Sequence, residues 1–227
     1  MGKDLVIFDC DGVLVDSEML SAGVLMAMMT EEGFPLSEEA FRADFLGRSF
    51  AGAALRAKER FGRPLPEDFE ARYRDRLFAK LAAELKPMAG VSQVLAALRV
   101  PFCLATSSSP RRLALSLGAS GLAPFFEGRC FTASDVQRGK PAPDLFLHAA
   151  GKMGAEPARC LVIEDSELGV RAGLAAGMEV WHFAGGCHVQ AGYHLPEGLA
   201  AHRVMADMPA MALAFRELGL SSLSLSS

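Results

Sequence analysis

The stretch that most constrains this chain is its opening run, Leu5-Val6-Ile7-Phe8-Asp9-Cys10-Asp11-Gly12-Val13-Leu14-Val15-Asp16-Ser17. Leu5 to Phe8 are unbroken apolar residues, which read as a strand buried on both faces of a parallel sheet. Asp9 then stands at the carboxyl end of that strand, where open α/β sheets place their ligands. A buried carboxylate is costly without a cation or a shared proton beside it. Asp9 and Asp11, two acids around one turn, therefore ask for a positive partner. A plain glycine turn with solvated acids would need no apolar strand delivering them to its tip.

Residues 17 to about 84 carry helical spacing almost throughout. Leu20, Val24, Leu25, Met28 and Met29 recur on one face of a first helix, which Gly33 and Pro35 stop. Ser37 ahead of Glu38 and Glu39 has the form of an N-cap with an acidic first turn, opening a short helix to Phe45. A third helix runs to about Phe61, residues 62–66 make a linker, and a fourth helix spans 67–85. The Met and Phe residues here follow the helix period, which assigns them to a bundle core rather than to a ligand box.

After residues 87–90 the pattern changes to strands alternating with helices. Helices are predicted over 91–99, 110–117, 144–153, 166–176 and 207–218. Strands are predicted over 101–105, 130–133, 159–163, 179–183 and, as an edge, 203–205; the Ser/Leu tail is expected to fray. The alternation predicts an α/β protein with a doubly wound, Rossmann-like parallel sheet and an all-α helical cap inserted after the first strand. The expected core is 1–16 with 87–227 and the expected cap is 17–86, joined by hinges near 15–17 and 86–90.

A chain of 227 residues, 51% hydrophobic and 22% charged, has the composition of a folded protein with one good core. Its net charge of −4 provides no global basic field for nucleic acid, so an anionic substrate would have to be drawn in locally, by a metal, a lysine or backbone amides. No apolar segment reaches membrane-spanning length, and no signal-peptide pattern opens the chain. Cys10, Cys103, Cys130, Cys160 and Cys187 lack metal-ligand spacing and are odd in number, which favours reduced, buried thiols and a cytoplasmic setting. The expected partner is a small molecule, with no nucleic acid or membrane; the chain is expected to be a monomer or homodimer.

Four strand ends carry complementary chemistry, and in a parallel sheet all four fall on one edge. The first offers Asp9 and Asp11. The second offers Thr106 and Ser107, whose hydroxyl and amide donors suit phosphate oxygens. The third is Arg138-Gly139-Lys140-Pro141-Ala142-Pro143-Asp144, with Lys140 on a proline-stiffened turn, and the fourth is Glu164-Asp165. Carboxylates from two strands suit Mg²⁺, a hard cation that takes a few carboxylates plus substrate phosphate. Hydroxyl, amide and ammonium groups would neutralise phosphoryl oxygens, which is most of what catalysing phosphoryl transfer requires. Taken singly, Thr106 to Ser109 read equally as a helix-capping turn, Lys140 as a surface lysine and Glu164-Asp165 as an N-cap pair.

Asp9-x-Asp11-Gly12-x-x-x-Asp16-Ser17, the strand ending at Thr106, Lys140-Pro141-x-Pro143-Asp144, and Glu164-Asp165-Ser166-x-x-Gly169 with Ala175-x-Gly177-Met178 resemble the four motifs of the haloacid dehalogenase superfamily. The nearest resemblance is to its β-phosphoglucomutase-like and phosphoglycolate phosphatase-like branch with a helical cap, and it covers nearly the whole chain. The resemblance implies Asp9 as nucleophile, forming an aspartyl-phosphate, and Asp11 as general acid/base. It implies Thr106 and the Ser107 amide on the phosphoryl oxygens, with Gly12 and Ser108 also at the phosphate and Lys140 spanning nucleophile and phosphate. Mg²⁺ would be held by Asp9, the Asp11 carbonyl, Asp165 and Glu164, directly or through water. Gly47 and Arg48 match the substrate-specificity loop of the cap. Dehalogenases of this superfamily lack an acid at the position of Asp11, so its presence points to phosphoester chemistry.

Mutases of the branch typically carry a cap histidine where this chain has Ser21, and a phosphate-binding arginine where it has Phe50, which favours hydrolysis. The expected function is thus a Mg²⁺-dependent phosphatase of a sugar phosphate or phosphosugar acid such as 6-phosphogluconate. A phosphosugar mutase and a non-catalytic binding module on the same fold are the alternatives. A dinucleotide-binding oxidoreductase is contradicted by acids standing where a pyrophosphate needs glycines and free amides.

Overall fold

Parallel pairing runs through the entire central sheet. It is built from β1 (Leu5–Phe8), β2 (Phe102–Thr106), β3 (Cys130–Thr132), β4 (Cys160–Glu164), β5 (Glu179–Phe183) and β6 (Arg203–Met205), in the spatial order β3-β2-β1-β4-β5-β6. The computed structural model describes residues 2–45, 50–190 and 192–222. The chain leaves β1 toward β2 on one side and returns to β4 on the other, so the strand order reverses between β1 and β4. A crevice opens beyond the carboxyl ends of strands at such a point. Phe8 pairs with Ile163 there, which sets Asp9 beside Glu164 across the two strand ends.

The sheet's two faces are separated by the period-2 alternation of its strands. Val6, Phe8, Leu104, Leu161, Ile163, Trp181 and Phe183 face α5 (Val91–Ala97), α6 (Pro110–Ser120) and α10 (Met208–Glu217). Leu5, Ile7, Cys103, Ala105, Val162 and Val180 face α7 (Asp144–Met153) and α8 (Glu167–Ala175). Trp181 stacks on Phe215 with ring centroids 5.6 Å apart, and its indole N–H donates to Glu179 at 2.7 Å, so burial leaves no orphan donor there.

Between β1 and α5 lie α1 (Glu18–Glu31), α2 (Glu38–Asp44), α3 (Phe50–Phe61) and α4 (Phe69–Glu84). They share their own core of Leu25, Met28, Met29, Phe34, Phe41, Phe45, Ala53, Ala57 and Phe69. Ser37 caps α2 by accepting from the Ala40 amide at 3.2 Å. Leu77 and Leu81, farther along α4, pack instead into the core on the α5, α6 and α10 side of the sheet, so this helix ties the two layers together. The passages into and out of the helical layer run side by side. Val15 bridges Pro87, the Met88 amide donates to the Leu14 carbonyl at 2.8 Å, and the Asp16 amide donates to the Lys86 carbonyl at 3.2 Å.

The structure departs from the sequence expectations at several places. β4 begins at Cys160 and extends through Glu164, while Arg159 ends a short 3₁₀ turn. The loop after β5, for which no element was expected, contains α9 (Cys187–Gln190). The start of the tail does not fray: Leu220 is buried, Ser221 bridges Leu98, and the Leu220 carbonyl accepts from the Arg99 amide at 2.8 Å. Burying Leu220 is what anchors it. All five cysteines are free, but Cys130 is half-buried and Cys187 exposed, against the expectation of buried thiols.

Candidate active site

β1 and β4 deliver Asp9, Glu164 and Asp165 to one point. All three are buried (6%, 1% and 4% exposed), and each offers a carboxylate oxygen within 4.8 Å of the others. Lys140, on the loop before α7, reaches in beneath them. Its Nζ donates to Asp9 Oδ1 at 2.6 Å, to Glu164 Oε1 at 2.7 Å and to the Ala105 carbonyl at 3.1 Å, using all three ammonium donors. Burial, with repulsion from Glu164 and Asp165, holds the Asp9 carboxyl well above the usual carboxylate range against the pull of Lys140. Burial and the charges of Glu164 and Glu18 raise Asp165 likewise. Burial works to lower the Lys140 pKa, yet Asp9 and Glu164 raise it above the ordinary lysine value.

Two glycines make this crowding possible. Gly12 has φ +77°, and a Cβ there would overlap the Asp165 carboxylate. Its amide donates to the Val15 carbonyl at 2.8 Å, so in this structure its contribution is steric. A Cβ on Gly169 would overlap the Glu164 carboxylate, whose Oε2 accepts from the Ser166 amide at 2.8 Å and the Ser166 hydroxyl at 2.9 Å. Ser166 also caps α8, accepting from the Gly169 amide at 3.1 Å. The capping reading and the site reading of this stretch therefore hold together.

Asp11, two residues from Asp9, keeps a different company. Its Oδ1 accepts from the Ser17 hydroxyl at 2.5 Å and from Arg112 at 2.9 Å, and its Oδ2 accepts from the Ser108 hydroxyl at 2.6 Å. Burial works to raise its pKa, but Arg112 and the two hydroxyls outweigh it and hold the carboxyl below the ordinary value. The Asp11 side chain is thus outside the acidic triad. Thr106 Oγ1 accepts from the Ser108 amide at 3.1 Å, and Ser107 is exposed to the cavity above. Ser109 caps α6, accepting from the Arg112 amide at 3.3 Å, with Pro110 in its first turn.

These groups line a cavity of about 580 Å³ between the sheet's carboxyl edge and the inserted helices. Ser21, Phe50 and Tyr73 form the helical side. Phe50 stacks on Tyr73 with centroids 5.5 Å apart, giving that side of the cavity an apolar wall. Gly47 and Arg48, expected at the substrate end, lie outside the described residues. A second hollow of about 750 Å³ lies against α6 and residues 123–128, lined chiefly by apolar side chains and away from the carboxylates.

A family model described as haloacid dehalogenase-like hydrolase matches residues 3–177. The chain belongs to the haloacid dehalogenase-like hydrolases. It is 31% identical over 186 residues to the 6-phosphogluconate phosphatase of Escherichia coli, covering 82% of this chain and 84% of that one. The structure of a conserved haloacid dehalogenase-like protein from Agrobacterium tumefaciens matches with a TM-score of 0.84 at 34% identity, covering 96% of this chain and all of that one (100%). A haloacid dehalogenase family hydrolase from Deinococcus radiodurans, solved with bound phosphate and sodium, matches with a TM-score of 0.80 at 34% identity, covering 98% of this chain and 99% of that one. As a member of this family with phosphatase relatives, the chain is an enzyme of the phosphatase kind.

Whether this hydrolase's residues suit a divalent metal is tested by their charge. Three carboxylates face one ammonium, and burial together with mutual repulsion raises two of them. All-oxygen donors with that imbalance fit a hard cation.

Three contributors escaped the sequence reading. His188, from α9, sets its Nε2 3.0 Å from Asp165 Oδ2, and burial lowers its pKa so that it favours the neutral form. His182 Nε2 donates to the Asp165 carbonyl at 3.0 Å. Both lie at or after the end of β5, a fifth strand end that reaches the same edge. Arg112 is the third: it sits in the first turn of α6, which starts at that edge after the short loop that follows Thr106.

Proposed function

We propose that this protein is a Mg²⁺-dependent phosphatase that hydrolyses a sugar phosphate or phosphosugar acid through an aspartyl-phosphate on Asp9. The observation that carries the reading is the opposite setting of two acids two residues apart. Asp9 is buried against Lys140 beside Glu164 and Asp165, while Asp11 turns to Ser17, Ser108 and Arg112. The two acids are thus held for different tasks, Asp9 by the ammonium of Lys140 and Asp11 by a guanidinium and two hydroxyls.

In this reading a carboxylate oxygen of Asp9 bonds to phosphorus as the bond from phosphorus to the leaving alcohol oxygen breaks. Asp11 gives that oxygen its proton, then takes a proton from the water that displaces Asp9 from phosphorus, releasing inorganic phosphate. Asp11 as it stands is the ionised, water-activating form. Thr106 and the Ser107 amide hold phosphoryl oxygens, with Gly12 and Ser108 shaping the same pocket, and Lys140 balances the charge of Asp9. Mg²⁺ held by Asp9, Glu164, Asp165 and the Asp11 carbonyl would screen the repulsion between nucleophile and phosphate. Gly47 and Arg48 complete the proposal at the distal end of the substrate.

Against a phosphosugar mutase, position 50 offers a phenyl ring stacked on Tyr73, and Ser21 accepts from Arg112 at 3.4 Å. The named activity of the Escherichia coli relative makes 6-phosphogluconate the first substrate to try. Phosphate release from para-nitrophenyl phosphate tests the mechanism. Turnover should require Mg²⁺ and vanish in Asp9→Asn; unchanged rates in that variant or in excess chelator would sink it.

A further inference from the structure

The alcohol end of the cavity holds a guanidinium that the phosphoryl chemistry does not use. Arg112 NH2 donates to Asp11 Oδ1 at 2.9 Å and to the Ser21 hydroxyl at 3.4 Å, while its Nε–H is buried without a partner. The side chain as a whole is 21% exposed, its Nε lying behind Asp11, and it lines the same cavity as Asp9, Thr106 and Lys140.

The proposed mechanism sets a problem for this residue. Both oxygens of Asp11 are occupied, Oδ1 by Ser17 and Arg112 and Oδ2 by Ser108. To reach a leaving oxygen, Asp11 must give up some of these partners. If it leaves Arg112, the guanidinium loses its hydrogen-bonded carboxylate and keeps only the through-space charge of Glu18, and a poorly compensated charge away from water is destabilising. An anion that takes the place of Asp11 would restore the balance. A sugar hydroxyl cannot do this, because it carries no charge.

The geometry also says what kind of anion fits. The orphaned Nε and the NH2 now bound to Asp11 form one edge of the guanidinium. That edge presents two parallel N–H donors matched to the two oxygens of a planar carboxylate. Its neighbour, Asp11, is the group that in the proposed mechanism touches the leaving oxygen, so the edge faces the alcohol portion of the ester rather than the phosphoryl group.

We infer that Arg112 is the specificity residue of this site: its Nε–NH2 edge takes a carboxylate on the alcohol portion of the substrate, which replaces Asp11 and frees it for the leaving oxygen. The substrate class is then phosphate monoesters of hydroxy acids, and the inference rests on the phosphatase reading above.

The test uses matched pairs that differ in a carboxylate: 6-phosphogluconate against glucose 6-phosphate, and 3-phosphoglycerate against glycerol 3-phosphate. Fructose 1,6-bisphosphate serves as an anionic control without a carboxylate, and para-nitrophenyl phosphate as a generic ester. kcat/KM is measured for the wild type, Arg112→Gln and Arg112→Lys, with circular dichroism melts to confirm folding. The wild type should prefer the acid in at least one pair. In Arg112→Gln that preference should fall on the order of 10–10²-fold, mainly through KM, as expected for a charge-assisted contact to substrate. Arg112→Lys, which keeps the charge without the fork and is the safer variant for folding, should fall between.

Equal losses on acid and neutral esters would mean that Arg112 only holds Asp11 in place, overturning the inference while the phosphatase reading stands. No acid preference in the wild type, or a stronger one for the bisphosphate, would overturn it too. No hydrolysis of any ester by the wild type would bring down the reading and the inference together.

Discussion

Asp9 and Asp11 are near neighbours in the chain, yet their surroundings make them different acids. Replacing Asp11 with Asn keeps the backbone carbonyl assigned to the metal and removes the proton carrier. Turnover should therefore drop roughly 10²–10⁴-fold while Mg²⁺ binding, followed by calorimetry, persists. Loss of metal binding in a folded variant would mean that the role is misassigned. Gly12→Ala should be worse than a change of one methyl suggests, because φ there is +77° and the new Cβ would meet the Asp165 carboxylate. Backbone strain alone is worth about 1–3 kcal/mol, and urea denaturation should read at least that loss together with a weakened response to Mg²⁺. At this scale the acids and Lys140 were legible in the sequence because the acids come at the ends of apolar runs and Lys140 sits on a proline-stiffened turn. Arg112 was not, since an arginine in a first helical turn looks like any solvated one until the sheet order sets that turn above Asp11. His188 was hidden for a related reason: it stands in the four-residue α9, five residues beyond the end of β5, with no apolar period to mark it.

Among the elements, all six strands were readable, although β2 runs one residue later than predicted at both ends and β3 stops one residue short. β1, β5 and β6 fall where the apolar pattern put them, and β4 differs by a residue at each end because the apolar count stops before Glu164, which still pairs with His182. α9 has four residues and no apolar stripe, too short for a periodic signal. The element that couples stability to the site is α8, whose cap Ser166 also holds Glu164. Ser166→Ala removes the hydroxyl from both tasks while leaving the amide bond to Glu164 in place. It should cost about 1 kcal/mol of unfolding free energy, as cap losses do. Activity should fall further than Ser109→Ala makes it fall, since Ser109 caps α6 without touching a carboxylate of the triad. Equal kinetic effects would separate capping from the site.

For the molecule as a whole, the acidic triad ties stability to pH and metal. In the metal-free protein the carboxyls of Asp9 and Asp165 hold protons to higher pH than in the unfolded chain. The folded state therefore binds more protons across the window from the ordinary carboxylate pKa up to the raised values, and stability declines as pH rises through it. Metal must displace those protons, so Mg²⁺ binds more tightly as pH rises. The Mg²⁺-induced rise in Tm should be small at about pH 5 and grow toward about pH 8, with protons released on titration. A rise that does not change with pH would show that the carboxyls are already ionised without metal. No helix among the described residues is long and apolar enough to cross a membrane.

The paired passages at Val15 and Pro87 act as a single axle. The Leu14 and Lys86 carbonyls are each bonded to the opposite passage, so the crossings into and out of the helical layer are fastened to each other. Ser17 stands at the end of that axle and holds Asp11 at 2.5 Å. A shift of the helices at these crossings would therefore be felt at Asp11, the proposed proton carrier, so the mouth of the cavity and that acid would move together.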